Sequence, residues 1–389
     1  MRLTYLHPCP LPSIKPEVLQ LLQMADAFAQ YGLEVTLLSP LVRQTESIAS
    51  LLGRSLDNKV RVVYIERGPR AYPARSNRLF FHNALRWLAD QPTDVLYCRH
   101  LKAAEKALRA YPQIPLFFEY HEIFSQHFAQ QPLAWWQHIK LRALQRRERL
   151  ICKRASGLIC LSQALADDLQ QYYPCTHACV AGNGVELSWP QTPSLTPVQR
   201  PWNNPPVLLY LGSLHPWKGV TTLIEAMNLL NSAAQLWIAG GDERSRQPLK
   251  QQVQQRGLQD KVRFLGYVEP AQRFKLIAQT DICLLPLTHH VIASRYTSPL
   301  KLFEYMALAK PIISADVASI REIVQHRQQA LLVEPEHPQA LARAIEQLLN
   351  DRPLAQRLAV AAGEKIKQHS WLHRAEQLAL FMQNCLAKK

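Results

Sequence analysis

A lysine and a glutamate three residues apart, Lys301 and Glu304, lie within the run Ser298-Pro-Leu-Lys-Leu-Phe-Glu-Tyr-Met-Ala-Leu-Ala-Lys-Pro-Ile-Ile-Ser314. A polar turn opens this run and leads into a short helical pattern, after which Pro311, Ile312 and Ile313 mark a buried strand. The first turn of a helix leaves backbone N–H groups without intrahelical acceptors, which suits an anion such as a diphosphate. A cation there gains nothing from the helix dipole, so Lys301 is better placed to meet a phosphate than to stabilise its own helix. Glu304, one turn on and on the same side, can reach a ribose diol. The plainer alternative is a surface Lys–Glu pair at i, i+3.

Three more loops carry chemistry-bearing residues. Tyr210-Leu-Gly212-Ser213-Leu-His-Pro-Trp-Lys218-Gly219 precedes a helical pattern over Val220–Leu230. A glycine directly after a strand lets backbone approach a ligand, and a lysine before the next helix can neutralise diphosphate charge. A tight turn with a surface lysine would look the same. Neither Gly-x-x-x-x-Gly-Lys-[Ser/Thr] nor Gly-x-Gly-x-x-Gly is present, so nicotinamide and flavin cofactors are not indicated. Ala239-Gly-Gly-Asp242 and Phe264-Leu-Gly266-Tyr267-Val268 are further post-strand loops, either ordinary punctuation or backbone able to meet a base edge. Cys175, His177 and Cys179 offer three zinc-type ligands without an evident fourth, in a strand-like segment.

The elements that must position these residues alternate between strand and helix. Leu3–His7, Glu34–Ser39, Val60–Ile65, Asp94–Tyr97, Leu116–Glu119 and Gly157–Leu161 are the expected strands of a first domain, with a helix at about Glu17–Tyr31. Residues 188–206 hold proline at a density that blocks both helix and central strand, and serve as the linker. The rhythm restarts with strands at Val207–Leu211, Gln235–Ala239, Val262–Leu265, Asp281–Leu285, Pro311–Ser314 and Ala330–Val333. Helices follow at Pro338–Asn350, Leu354–Gln368 and Trp371–Leu386. The expectation is α/β: two doubly wound parallel-sheet Rossmann-like domains, residues 1–187 and 207–370.

Composition narrows the partners. The 389 residues carry 45 Lys and Arg against 30 Asp and Glu, a net charge of +15, which favours acidic partners such as nucleotide phosphates, nucleic acid or anionic lipid. No nucleic-acid motif accompanies that charge. No stretch is long and apolar enough to span a membrane, and Pro8, Pro10 and Pro12 interrupt the N-terminal apolar run where a signal peptide would continue. Eight scattered cysteines fit a reduced, cytoplasmic setting.

The ordered set Gly212–Gly219, Gly240-Gly-Asp242, Phe264–Val268, Asp281-Ile-Cys-Leu-Leu-Pro286 and Ser298–Ser314 resembles glycosyltransferase family 4, whose members are retaining enzymes of the GT-B fold. Glu119-Tyr-His121-Glu, Ala155–Ser162 and Ala181-Gly-Asn183-Gly-Val185 extend the likeness over nearly the whole chain. The resemblance implies two Rossmann-like domains facing a central cleft, with the C-terminal helix, about residues 371–389, crossing back onto the first. It implies His121 against the donor sugar, Lys218 on the leaving diphosphate and Glu304 on the ribose. Backbone of Ser298, Pro299, Leu300, Lys301 and Leu302 would cradle the phosphates. Gly212 would approach the donor, with Tyr267 and Val268 facing the base. Three positions depart from the family pattern. Tyr296 stands where an acid precedes Glu304 by eight residues, Ser213 where a phosphate-binding arginine is usual, and Pro8-Cys-Pro-Leu-Pro12 where a glycine-rich loop is usual. Arg295 or Lys301 can supply the missing charge.

The implied activity is transfer of a hexose-type sugar from a UDP- or GDP-sugar to a glycan or lipid-linked acceptor in cell-surface polysaccharide or glycoconjugate synthesis. No cofactor and no metal are expected, since no Asp-x-Asp occurs. A silent sugar-nucleotide-binding protein and a GT-B epimerase or phosphorylase are the alternatives. On the acceptor side, Lys140, Arg142, Arg146, Arg147, Arg149, Lys153 and Arg154 crowd a helix at residues 138–154, preceded by Trp135 and Trp136. Such a helix can lie on an anionic membrane at the cytoplasmic face, or be a solvated face with Leu141, Leu144 and Leu150 turned inward. Arg67, Arg70, Arg75 and Arg78 form a second basic group.

Overall fold

The computed structural model describes residues 1–13, 15–41, 47–67, 77–130, 132–175, 177–187 and 202–387. Arg70, Arg75 and linker residues 188–201 lie outside them.

Short, mostly apolar runs make the strands, and several inside the sheets, such as Val95–Cys98, Leu116–Tyr120 and Ile282–Leu285, are buried throughout, as parallel sheets require. The first set is β1 (Arg2–Leu6), β2 (Glu34–Pro40), β3 (Val60–Ile65), β4 (Val95–Cys98), β5 (Leu116–Tyr120), β6 (Gly157–Cys160) and β7 (Ala178–Val180). The second is β8 (Val207–Leu211), β9 (Gln235–Ala239), β10 (Val262–Gly266), β11 (Ile282–Leu285), β12 (Ile312–Ala315) and β13 (Leu331–Val333). They form two sheets of order β3-β2-β1-β4-β5-β6-β7 and β10-β9-β8-β11-β12-β13. Every pairing between these strands is parallel. In each sheet the chain builds outward on one side of the first strand, then returns to its other side. The resulting switch points lie at the carboxyl ends of β1 and β4, and of β8 and β11, where open α/β sheets take ligands.

The chain forms two compact units, Met1–Gly182 with Trp371–Lys389, and Asn183–Ser370. Residues 183–187, expected in the first domain, group with the second unit. Asn183 bonds twice to Ser298, and the Val185 N–H donates to the His369 carbonyl at 3.0 Å. Within the first unit the helix Trp371–Ala387 packs Phe381 edge-on against Phe117 of β5 at 5.9 Å. Observed element ends otherwise fall close to the expected ones. The helix expected from Leu354 starts at Arg352, because the Asp351 carboxylate caps it by accepting the Leu354 N–H at 2.9 Å. In the second unit Asp281, just before β11, accepts the Val207 N–H at 2.7 Å and binds Asn203, tying the start of β8 to its neighbour.

Candidate active site

At the β8–β11 switch point backbone comes unusually close to backbone. The Gly212 N–H donates to Ala239 at 2.9 Å, so Gly212 offers no free amide. Gly240 has φ +121°, and a Cβ there would lie 2.0 Å from the Gly212 carbonyl oxygen. Ser213 is exposed, and its carbonyl accepts the Tyr210 hydroxyl at 2.6 Å. A single 3-10 turn, Pro216–Lys218, then closes on Gly219, whose φ is +74° and whose added Cβ would meet the Pro286 carbonyl oxygen at 1.6 Å. Only glycine satisfies both demands. Beyond β11, the Thr288 hydroxyl and amide both donate to the Trp217 carbonyl, at 3.1 and 3.3 Å. The Lys218 loop is thereby pinned across the switch point. Lys218 Nζ rests over the Trp217 indole at 4.0 Å, and that ring stacks parallel to His215 at 6.0 Å.

The helix Leu300–Ala307 enters from the same sheet edge. Tyr305 anchors it, its hydroxyl oxygen accepting the Leu211 N–H at 3.1 Å, while Phe303 and Met306 are buried in the core. Its start is fixed by Asn183, whose N–H donates to Ser298 Oγ at 2.8 Å and whose Nδ2 donates to the Ser298 carbonyl at 2.6 Å. The Ser298 hydroxyl thus already serves this clip. Pro299 and Leu302 bury their side chains and can contribute backbone only. No side chain caps this helix. The amides of Leu300 and Lys301 precede the first possible i−4 bond and are open to an anion. Lys301 Nζ lies 3.5 Å from Glu304 Oε2, and Arg273 Nη1 lies 2.9 Å from Glu304 Oε1, with Arg273 and Glu304 nearly excluded from solvent. The buried Oε2 has no hydrogen-bond partner.

Charge here is poised for an anion. Burial and the neighbouring Lys301 bring the Lys218 pKa down to about 7. Burial also lowers Lys301, helped by Arg273 and opposed by Glu304. Ammonium groups whose charge is disfavoured by burial gain most from a bound polyanion. Of the other expected donor residues, Tyr267 is exposed after β10 and Val268 packs on the core. Tyr296 is buried at the end of a wide π-type turn, Ile292–Tyr296, which also carries a half-buried Arg295.

The first unit holds a separate polar cluster at its own switch point. His121, just after β5, is hydrogen-bonded through Nε2 to Glu119 Oε1 at 2.6 Å. Glu119 also receives the Arg374 guanidinium at 2.9 Å and the Tyr97 hydroxyl at 2.5 Å. Burial opposes ionisation of Glu119, but Arg374 and His121 outweigh it and hold its pKa well below the carboxylate range. Burial and Arg99 bring His121 down to about 4, so its ring is neutral at pH 7. With Nε2–H given to Glu119, Nδ1 is left as an acceptor for a hydroxyl. His7, at the end of β1, is also held neutral by burial and by Arg99, its Nδ1 accepting the Cys9 N–H at 3.2 Å.

Arg273 and Arg374 were not among the expected site residues, yet the sequence holds a signal for both. Arg273 shares the buried face of its helix with Pro270, Phe274 and Ile277, and Arg374 shares one with Trp371, Ala375 and Leu378. A cation within an apolar helical stripe must have a buried partner. Among the described residues no group of three or more His, Cys, Asp or Glu side chains gathers around a metal-sized space, the Cys175–Cys179 segment included.

Comparison with known proteins bears on the family and the fold. Residues 19–189 match the model of Glycosyltransferase Family 4, and residues 205–351 that of Glycosyl transferases group 1. The phosphatidyl-myo-inositol mannosyltransferase of Mycobacterium leprae is 25% identical over 92% of this chain and 90% of its own. The sucrose-phosphate synthase of Thermosynechococcus elongatus superposes with a TM-score of 0.80 at 19% identity, over the whole of both chains. Anabaena HepE, solved with UDP-glucose, superposes at 0.73 and 20% identity over 99% of this chain and 100% of its own. Both units are parallel-sheet Rossmann-like folds, and the chain belongs to the GT-B glycosyltransferases of family 4.

Proposed function

We propose that this glycosyltransferase moves a hexose-type sugar from a UDP- or GDP-sugar, with retention and without a metal, to a glycan or lipid-linked acceptor in cell-surface polysaccharide or glycoconjugate synthesis. The observations that carry the donor side are Lys218, pinned over Trp217 at the β8–β11 switch point, and the open amides of Leu300 and Lys301 at an uncapped helix start. As the bond from the anomeric carbon to the diphosphate breaks, negative charge grows on the leaving oxygen, and preorganised cations act most strongly there. The acceptor oxygen forms the new bond on the same face and passes its proton to the departing phosphate. Lys218 and Lys301 take the place a divalent cation fills elsewhere. Glu304 holds the ribose; in the first unit, the neutral His121 keeps Nδ1 as an acceptor for a hydroxyl. The neighbour solved with UDP-glucose supports trying that donor first.

The acceptor side draws support from the helix Gln137–Arg154. Trp135, Trp136 and Ile139 are 78%, 59% and 67% exposed, and Lys140, Arg142, Arg146 and Arg149 follow on exposed positions. Bulky apolar groups beside exposed cations suit the headgroup region of an anionic leaflet, at the cytoplasmic face. Arg147 is occupied by Glu105 at 2.7 Å and Glu148 is buried, so neither adds to that surface.

Incubation with UDP- and GDP-hexoses and a panel of lipid-linked and glycan acceptors tests the proposal. Nucleotide release that depends on acceptor, with an anomeric configuration matching the donor by NMR, is expected. Tyr296 and Ser213 favour a second reading, a sugar-nucleotide-binding protein without turnover. Tight donor binding with no release across the panel would select it. A changed sugar nucleotide formed without acceptor would instead mark an epimerase.

A further inference from the structure

We infer that Arg273 is a positioning residue that sets how the second unit discriminates the sugar of the nucleotide. It does so by holding the Glu304 carboxylate so that one oxygen is fixed and the other is presented to a ribose hydroxyl. The inference rests on the donor-site reading above.

Arg273 comes from the helix Pro270–Ala278 and Glu304 from the helix Leu300–Ala307, so their 2.9 Å contact joins two separate helices over one core. Arg273 is itself fixed, its Nε donating to the Pro270 carbonyl at 3.3 Å. Both side chains are more than nine-tenths buried. A buried carboxylate normally fills the acceptor capacity of both oxygens. Here Oε1 is taken by Arg273, while Oε2 is buried without a hydrogen-bond partner. Lys301 stands 3.5 Å away, too far for a good hydrogen bond, although its charge favours the anion. A buried anionic oxygen left without a hydrogen-bond donor is costly unless a ligand completes it, and a hydroxyl is the neutral donor that fits beside two cations. Lys301 alone cannot set this geometry. It sits on the same helix as Glu304 and reaches only the open oxygen. The fixed oxygen, and hence the carboxylate plane, is set from the other helix by Arg273.

Binding of UDP, GDP and their 2′-deoxy and 3′-deoxy forms is measured by calorimetry on the unaltered protein, Arg273→Gln, Arg273→Lys, Glu304→Gln and the double variant Arg273→Gln/Glu304→Gln, with thermal melting alongside. The unaltered protein is expected to prefer the ribonucleotide over at least one deoxy form by about tenfold, the scale of a lost charge-assisted hydrogen bond. Arg273→Gln should bring that ratio close to one, and Arg273→Lys should restore most of it. In the Glu304→Gln background Arg273→Gln should change the ratio no further. A merely structural Arg273 would lower the melting temperature and weaken all nucleotides equally, leaving the ratio intact. That result, or loss of discrimination by Arg273→Gln that persists independently in the Glu304→Gln background, overturns the inference alone. If neither UDP nor GDP binds the unaltered protein, the donor-site reading fails and the Arg273 assignment falls with it.

Discussion

Raising the pH from 7 to 9 should loosen a nucleoside diphosphate from the second unit, and Lys218 sets by how much. Its ammonium lies over the Trp217 ring, partly desolvated and facing Lys301, with a pKa of about 7. Half of it is charged at pH 7, about a tenth at pH 8 and about a hundredth at pH 9. A bound diphosphate favours the charged form and raises that pKa, so affinity is full below pH 7 and is lost as pH rises through it. If the charged form alone binds, affinity falls about fiftyfold between pH 7 and 9, or about 2.3 kcal/mol. The nucleotide phosphates, with second pKa values of about 6, add little slope in that window. Calorimetry of UDP and GDP at pH 7, 8 and 9, in buffers of different ionisation enthalpy, counts protons directly. Uptake of about nine-tenths of a proton is expected at pH 8 in the unaltered protein, falling sharply in Lys218→Gln. Affinity that is flat from pH 7 to 9, or the same uptake in Lys218→Gln, would refute the reasoning.

In the first unit, Arg374→Met leaves Glu119 buried without its guanidinium and should cost about 3–5 kcal/mol in chemical denaturation. Glu119 has a folded pKa below its ordinary 4.5, so its contribution is present above pH 4.5 and lost as pH falls through the lower value; the variant should lose that acid dependence. Gly219→Ala must relieve both a left-handed backbone and a 1.6 Å overlap with Pro286, and should cost about 2 kcal/mol or more while weakening nucleotide binding. Co-sedimentation with anionic liposomes should be salt-sensitive and should drop in Trp135→Ser/Trp136→Ser and in Arg142→Glu/Arg146→Glu. Equal sedimentation by all variants would detach the helix Gln137–Arg154 from the membrane.

The parallel sheets were legible because their strands are short, mostly apolar runs separated by helical periodicity, with some of the inner ones fully apolar, as in Val95–Cys98 and Ile282–Leu285. Lys218, Lys301 and Glu304 stand out in the sequence as candidates because each lies in a loop or at a helix start after a strand, where open α/β sheets take ligands. What spacing alone does not show is which side chains meet from distant elements. Arg273 reaches Glu304 across 31 positions, and Arg374 reaches Glu119 across 255. Both meetings follow from tertiary packing, and only the anomaly of a cation in an apolar stripe announces them. Ser298 is the converse case. In sequence its backbone is expected at the phosphates, and nothing there shows that its hydroxyl and carbonyl accept from Asn183, a residue the linear pattern assigned to the other domain.

A crystal structure of the protein with UDP or GDP tests the donor site most directly. The diphosphate should lie within hydrogen-bond reach of Lys218 Nζ and the amides of Leu300 and Lys301, with a ribose hydroxyl on Glu304 Oε2. A nucleotide bound with its diphosphate away from Lys218 and Lys301, or with its ribose turned from Glu304, would contradict it.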